Sequence, residues 1–255
     1  MSTTHKIILG DSLKFIKTIP DNSIDLIFVD PPYNMSKRQG LGWEYSNHVT
    51  MHEDWDIFSK EEFLEFNQKW LSECERILKQ GGSLWISGSF HNIYQIGHLI
   101  QQKTNLRINN SIVWFKPNAQ PNITYRFFTE STEHLIWATK NGEGKKWKFN
   151  YFWTKDYIED SINPKGKQTR NVWSIPLTSK SEKWAGFHPN QKPFELLRRI
   201  ILSCTNEGDL VLDPFLGSGT TSIVAKYYGR NSIGIEILPK YIEIIKKRIL
   251  NSKKS

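Results

Sequence analysis

The sequence of 255 residues has few cysteines and no long hydrophobic segment. No apolar run approaches the roughly 20 residues that cross a membrane, and the first residues lack a signal-peptide pattern. The two cysteines, Cys74 and Cys204, both lie on apolar helical stripes, which argues against a disulfide framework and against a cysteine nucleophile. These absences predict a reduced, cytoplasmic protein without membrane contact.

Basic residues outnumber acidic ones. Lys and Arg total 34 and Asp and Glu total 26, which gives a formal net charge of +8 and a pI near 9.3. This excess favours a polyanionic partner, although many basic proteins bind no nucleic acid. The composition is that of a soluble globular protein, and the length allows one large α/β domain with an insertion or two small domains.

The stretch Asp30-Pro31-Pro32-Tyr33 follows an apolar run at 24–29 that has the length and composition of a strand. Proline cannot donate to a sheet, so the chain leaves the sheet here, at the strand end where α/β folds bind ligands. Asp30 and a main-chain carbonyl can accept the two hydrogens of an exocyclic base amine while Tyr33 stacks on the ring. A proline-rich turn whose Asp only caps a helix is the alternative, and four residues do not separate the two.

Predicted strands and helices alternate along most of the chain. Ser59 and Glu62 have the spacing of a capping box at the start of a helix, which we expect Gly81-Gly82 to end. We predict strands at 6–9, 24–29, 83–87, 108–115, 133–139, 209–213 and 232–236 and helices at 13–19, 59–80, 91–103, 193–204, 220–228 and 241–250. The alternation predicts an α/β fold with a doubly wound, mainly parallel sheet.

Two segments interrupt this alternation. Residues 34–57 are polar and irregular and directly follow the Asp30 stretch, so we predict a mobile lid. His48 and His52 in this segment have metal-ligand spacing, but no third ligand pattern accompanies them, and we interpret them as surface histidines of the lid. Residues 140–187 hold about twice as many basic as acidic residues, interleaved with aromatics.

Basic residues among aromatics suit nucleic-acid contact, which makes Lys145, Lys146 and Lys148 candidate DNA ligands. The alternative is a solvated insertion whose aromatics form a small core of their own. Arg126 lies in a loop with Phe127 and Phe128. We favour a DNA-facing loop, which makes Arg126 a further candidate DNA-binding residue, and the alternative is a place in the core.

A second chemical cluster joins a strand to a helix at Asp213-Pro-Phe-Leu-Gly-Ser-Gly-Thr-Thr. The segment lacks the Gly-Lys-Ser/Thr of a P-loop and the third glycine of the dinucleotide fingerprint, so a phosphate ligand is not favoured. Asp213 suits an ammonium group, and Glu236, roughly 20 residues further on, suits ribose hydroxyls. A nucleoside that carries an amino acid, S-adenosylmethionine, satisfies both acids.

With both clusters in place, the chain resembles the β-class amino-methyltransferases of DNA, of the restriction–modification type. In that family an Asp-Pro-Pro-Tyr motif precedes a Phe-x-Gly-x-Gly motif, with the target-recognition region between them, which is the order found here. His188-Pro-Asn-Gln-Lys-Pro resembles the family segment His-Pro-Thr-Gln-Lys-Pro, with Asn190 in place of Thr. Gly10-Asp11 resembles the family element that touches the cofactor adenine.

The resemblance implies a Rossmann-like methyltransferase domain formed by residues 1–139 and 188–255, with 140–187 as an inserted recognition region. It implies direct methyl transfer from S-adenosylmethionine to adenine N6 on a base rotated out of the DNA, with no metal. The implied catalytic residues are Asp30, Pro31 and Tyr33. The implied cofactor-binding residues are Asp11, Asp30, Lys192, Asp213, Phe215, Gly217, Ser218, Gly219, Thr220 and Glu236.

The identity of the target base rests on the first residue of the catalytic motif. Asp at that position resembles the adenine enzymes, whereas Ser is commoner among those that methylate cytosine N4. Cytosine-N4 methylation and a catalytically idle DNA-binding module of the same fold are the alternatives. The resemblance further implies that a cognate restriction endonuclease acts on the same site without obligatory contact, and members of the family often form homodimers.

Overall fold

The computed structural model describes residues 3–34, 58–122, 125–141 and 146–252, which fold around an eight-stranded sheet. The strands are β1 (His5–Leu9), β2 (Ile24–Val29), β3 (Leu78–Gly88), β4 (Arg107–Phe115), β5 (Thr132–Thr139), β6 (Val172–Ser174), β7 (Leu210–Asp213) and β8 (Asn231–Glu236). The helices are α1 (Ser12–Phe15), α2 (Lys60–Ile77), α3 (Ile93–Lys103), α4 (Tyr151–Tyr157), α5 (Phe194–Cys204), α6 (Thr220–Tyr227) and α7 (Pro239–Asn251), with short 3₁₀ turns at Ile16–Thr18 and Lys180–Lys183. None of the helices in these ranges is long and apolar enough to cross a membrane.

The strand order is β1-β8-β7-β2-β3-β5-β4-β6. Neighbouring strands are parallel except around β5, which is antiparallel to both β3 and β4. Strands β7 and β2 are neighbours at the centre of the sheet. After β7 the chain continues to β8 on one side of this pair, and after β2 it continues to β3 on the other side. Such a reversal of direction opens a crevice at the carboxyl ends of the strands. The predicted doubly wound, mainly parallel sheet is confirmed.

Helices cover both faces of the central strands, in keeping with β2, which buries every residue and is apolar except for Asp25 near its start. Ile27 and Val29 pack in the core beneath α2 and α3. Leu26 and Phe28 point the other way and pack in the core beneath α5 and α6. The predicted capping box of α2 is present, since Ser59 Oγ accepts from Glu62 N and Glu62 accepts from Ser59 N.

One boundary prediction is wrong. Helix α2 ends at Ile77 and the chain enters β3 at Leu78, so the glycine pair lies within a strand rather than at a helix end. Gly81 has φ +80°, and a Cβ at Gly82 would lie 3.0 Å from the carbonyl oxygen of Asp25. The glycines therefore permit the irregular pairing at the start of β2 and β3, where the register shifts.

Residues 146–187 are anchored to the sheet. Strand β6 extends the sheet beside β4, and Trp173 of β6 packs against Trp85 with ring centroids 5.8 Å apart. Asp160 and Arg199 of α5 form a buried ion pair at 2.6 Å. Trp173 thus belongs to the main core, whereas Phe152 and Trp184 are exposed. The predicted lid, apart from Asn34, lies outside the described residues, as do His48, His52 and Lys145.

Candidate active site

The two chemical clusters of the sequence meet at one edge of the sheet. Strands β2 and β7 pair in parallel, with Leu26 opposite Val211, so the turns that follow them emerge side by side. Asp30 follows β2 and Asp213 is the last residue of β7. A single cavity of about 320 Å³ is lined by both turns.

Asp30 makes two polar contacts across this edge. The Tyr33 hydroxyl donates to Asp30 Oδ1 at 2.7 Å, and the Lys192 ammonium lies 2.9 Å from Asp30 Oδ2. Burial and the Asp30 charge raise the pKa of the Tyr33 phenol well above its usual value, so this hydroxyl keeps its proton and acts as a donor. Pro31 and Pro32 line the cavity beside Asp30.

Lys192, predicted as a cofactor residue, connects the two turns. Its ammonium group contacts Asp30, and its carbonyl oxygen accepts from Thr220 Oγ1 at 3.1 Å. The side chain is buried, which disfavours charge. The Asp30 and Glu133 carboxylates nevertheless raise the pKa of Lys192 well above its ordinary value, so it is an ammonium ion.

Glu133 and Lys116 belong to this charge network, although sequence reasoning missed both. Glu133 Oε2 lies 3.3 Å from Lys192 Nζ, and Glu133 Oε1 lies 3.4 Å from Lys116 Nζ. Burial raises the pKa of Glu133, but the two lysines outweigh burial and lower it overall. No local motif marks Glu133, because its place depends on β5 running antiparallel and presenting its first residues at this edge.

The glycine-rich turn adopts a conformation that side chains would disfavour. Gly217 has φ +54° and Gly219 has φ +85°. A Cβ at Gly217 would lie 3.0 Å from the ring of His188, and one at Gly219 would lie 3.1 Å from Ile245. Arg248 of α7 fixes the turn by donating to the carbonyl oxygen of Ser218 at 2.7 Å.

Asp213 is a buried acid without a cationic partner among the described residues. It accepts from Phe215 N at 3.0 Å and from Thr221 Oγ1 at 2.5 Å. Burial, with smaller contributions from the Asp30 and Glu236 charges, raises the pKa of Asp213 to about 7. A cation bound nearby would favour its ionised form.

Glu236 ends β8 and lies beside the glycine-rich turn. Its carboxylate accepts from Gly217 N and from Leu238 N, each at 2.8 Å. Burial raises the pKa of Glu236, and these backbone donors oppose the shift. A carboxylate has about four acceptor positions, so Glu236 can accept further donors from a ligand in the cavity.

The remaining predicted cofactor residues also surround the cavity, which Asp11, Phe215, Ser218 and Thr220 all line. Asp11 caps α1 by accepting from Leu13 N at 2.9 Å. The Phe215 ring packs edge-on against Trp70 of α2, with centroids 6.4 Å apart. Phe215 therefore joins the turn to the core as well as lining the cavity.

His188 is a cavity residue that the predicted site omits. Burial and the nearby Lys192 charge lower the pKa of His188 to about 3, so its imidazole is neutral. Its Nδ1 is buried and has no hydrogen-bond partner in the described part of the protein. An unpaired buried polar atom in a cavity wall marks a position where a ligand can supply the partner.

The candidate DNA-binding residues separate to opposite edges of the sheet. Arg126 follows β4 on the edge that carries Asp30, and its neighbours Tyr125, Phe127 and Phe128 are 94%, 75% and 100% exposed. Lys148 lies at the other edge, where it pairs with Asp25 and Asp209 at 3.2 and 2.6 Å. Asp25 is five residues before Asp30, which corresponds to about 17 Å along an extended strand.

Lys146 shares the location of Lys148, because its backbone lies against Gly81 near the start of β3. Strand β5 explains this placement. It ends opposite Ser83 of β3, so the segment that follows β5 begins at the edge of the sheet opposite the cavity. The structure thus brings Arg126, but neither Lys146 nor Lys148, to the edge that holds the cavity.

Comparisons with known proteins identify the family of this chain. A family model described as DNA methylase matches residues 24–247. The chain is 45% identical over 249 residues to the Type II methyltransferase M2.DpnII of Streptococcus pneumoniae, covering 96% of this chain and 90% of that protein.

Two solved structures resemble the fold. The M1.HpyAVI–SAM complex has a TM-score of 0.68 and 27% identity, covering 97% of this chain and 100% of that chain. The cytosine-N4-specific PvuII DNA methyltransferase has a TM-score of 0.74, covering 100% of this chain and 89% of that chain. At 19% identity, the latter likeness concerns the fold alone.

The raised pKa of Asp213 predicts a pH-dependent stability. A carboxyl group whose folded pKa is about 7, against about 3.9 when unfolded, favours folding at acidic pH and loses that contribution as the pH rises to 7. Asp213→Asn lacks this titration. We therefore expect the free energy of unfolding of Asp213→Asn minus that of wild type to be about 2 kcal/mol larger at pH 8 than at pH 5. Urea unfolding at both pH values measures this difference.

Asp156→Asn is the matched control, because Asp156 is half-exposed on α4 and should show no such difference. The same pH dependence in wild type and in Asp213→Asn would contradict the expected protonation of Asp213.

Proposed function

This chain belongs to the DNA methylase family, among the amino-methyltransferases of restriction–modification systems, and we propose that it methylates adenine N6 at a specific DNA sequence with S-adenosylmethionine as the donor. The observation that carries the proposal is the single cavity lined by both the Asp30 turn and the glycine-rich turn after Asp213. The proposal includes a cognate endonuclease that cuts the same sequence without obligatory contact, and it includes a homodimer.

The residues of the cavity fit S-adenosylmethionine. Glu236 has acceptor positions suited to ribose hydroxyls, and Asp213 offers a buried negative charge to a cationic ligand. A Cβ at Gly217 would clash with His188, so glycine keeps this wall of the cavity open. Bound S-adenosylmethionine supplies a methyl group whose bond to sulfur breaks as the bond to the acceptor amine forms.

Asp30 and Pro31 prepare the acceptor. The lone pair of the adenine amine is delocalised into the ring, which makes it a poor nucleophile. The Asp30 carboxylate and the Pro31 carbonyl accept its hydrogens, orient the lone pair and stabilise the positive charge that develops on nitrogen. Tyr33 offers an aromatic face for a base rotated out of the duplex.

Asp at position 30 supports adenine as the target. The likeness to the PvuII enzyme does not bear on this choice, because it concerns the fold alone. Against a catalytically idle DNA-binding module stand Asp30 and Tyr33, which are both present and share a cavity with the glycine-rich turn.

The proposed reaction is tested with methyl-labelled S-adenosylmethionine and unmethylated genomic DNA. We expect the label in N6-methyladenine after digestion to nucleosides, within one sequence context. Label in N4-methylcytosine would support the alternative base, and the absence of label from DNA would support the idle module.

The proposed role of Asp30 predicts a variant that binds but does not react. Asp30→Asn keeps the size of the side chain and removes its charge, so the single-turnover rate should fall about 10²–10³-fold. Cofactor affinity, measured by calorimetry, should change little, because the glycine-rich turn and Glu236 are unaltered. A near-normal rate at saturating DNA and cofactor would limit Asp30 to a structural role.

Arg126 tests which edge of the protein meets DNA. Arg126→Ala removes a cation from the Asp30 edge and should weaken DNA binding, with a salt dependence about one unit shallower if Arg126 contacts a phosphate. Lys146→Ala removes an exposed cation from the opposite edge and should leave the affinity near that of wild type. Fluorescence anisotropy over a range of salt concentrations distinguishes them, and the reverse result would assign DNA to the Lys146 edge.

A further inference from the structure

Glu133 is a second carboxylate close to the proposed reaction centre. Besides its contacts with Lys192 and Lys116, its Oε2 lies 3.5 Å from the Tyr33 hydroxyl. Its side chain is 16% exposed, and it reaches Asp30 only through Lys192 and Tyr33. Three groups that surround Asp30 therefore come from separate parts of the chain: the turn after β2, strand β5 and the segment before α5.

The Lys192 ammonium is shared between the two carboxylates. It lies 2.9 Å from Asp30 Oδ2 and 3.3 Å from Glu133 Oε2, and its nitrogen is 5.4 Å from the centre of the Tyr33 ring. An ammonium group has three donors and no acceptor. Its nitrogen also lies 3.3 Å from the Tyr33 hydroxyl, at the oxygen-bearing end of that ring rather than over its face. It thus uses a carboxylate oxygen of the kind that the target amine requires.

This arrangement conflicts with methyl transfer if it persists. The amine must donate to Asp30, and a positive charge develops on its nitrogen during the reaction. An ammonium ion held on Asp30 offsets the negative charge that would stabilise the amine, and it repels the positive charge that develops on nitrogen. Methyl transfer is therefore favoured when Lys192 moves from Asp30 to another carboxylate, which also leaves no buried charge unpaired.

We propose that Glu133 is a positioning residue for methyl transfer, which takes over the Lys192 ammonium from Asp30 when the target base enters. This inference rests on the proposed function of the same site. Glu133 already lies within 3.3 Å of the ammonium, so a small side-chain movement completes the exchange. Lys116, 3.4 Å from the other Glu133 oxygen, supplies a second positive charge that favours the ionised form of Glu133.

The test compares single-turnover rates of Glu133→Gln, Lys192→Met and the double variant, at saturating cofactor. Glu133→Gln is nearly isosteric, but it weakens the alternative site for the ammonium, so the rate should fall about tenfold or more. Adding Lys192→Met should restore much of that loss, because no ammonium remains to occupy Asp30. If the rate loss of the double variant equals the product of the losses of the two single variants, the proposal is overturned, since a purely structural ion pair gives no rescue.

Lys192→Met alone provides a second measurement if Glu133→Gln fails to fold. Its rate should stay well above that of Asp30→Asn, and a fall to the Asp30→Asn level would make Lys192 essential and overturn the proposal. Glu65→Gln is the matched control, because Glu65 pairs with Lys69 at 2.8 Å on the exposed surface of α2. Failure of the proposed function itself looks different, since wild type would then place the label in N4-methylcytosine or leave the DNA unlabelled.

Discussion

The parallel pairing of β2 with β7 is the constraint on which the site depends. These strands are far apart in the sequence, yet their alignment brings Asp30 and Asp213 to the same edge. Because the chain leaves the two strands toward opposite sides of the sheet, α2 and α6 do not cover the space between the turns. The resulting crevice has the Asp30 turn on one wall and the glycine-rich turn on the other.

The parts of the fold and site that could be predicted from the sequence are set by short-range chemistry. The two prolines after Asp30 end β2 wherever that strand lies in the sheet. Gly217 and Gly219 adopt positive φ angles that their local turn requires, and Ser59 with Glu62 caps α2 through neighbouring backbone groups. Each of these signals depends on residues a few positions apart, so a single sequence displays it.

The parts that could not be predicted depend on the order and direction of the strands. Glu133 reaches Lys192 and Tyr33 only because β5 is inserted antiparallel between β3 and β4. The same reversal carries Lys148 to the opposite edge, where Asp25 and Asp209 bind it. A lysine looks the same in a sequence whether its partner is a phosphate or a carboxylate, and basic composition alone could not separate these possibilities.

The two principal acids of the crevice differ in how their charge is balanced. Asp30 has the Lys192 ammonium at 2.9 Å, whereas Asp213 has hydrogen bonds from Phe215 and Thr221 but no ion pair among the described residues. Burial beside Asp30 and Glu236 therefore leaves Asp213 with a pKa of about 7, which a cationic ligand would lower. At the glycine-rich end, the nearby Arg248 guanidinium donates to Ser218 and Thr220 and forms no ion pair with Asp213. Under the proposed function, the positive charge of the bound methyl donor would balance Asp213, whereas Asp30 is already balanced by the Lys192 ammonium.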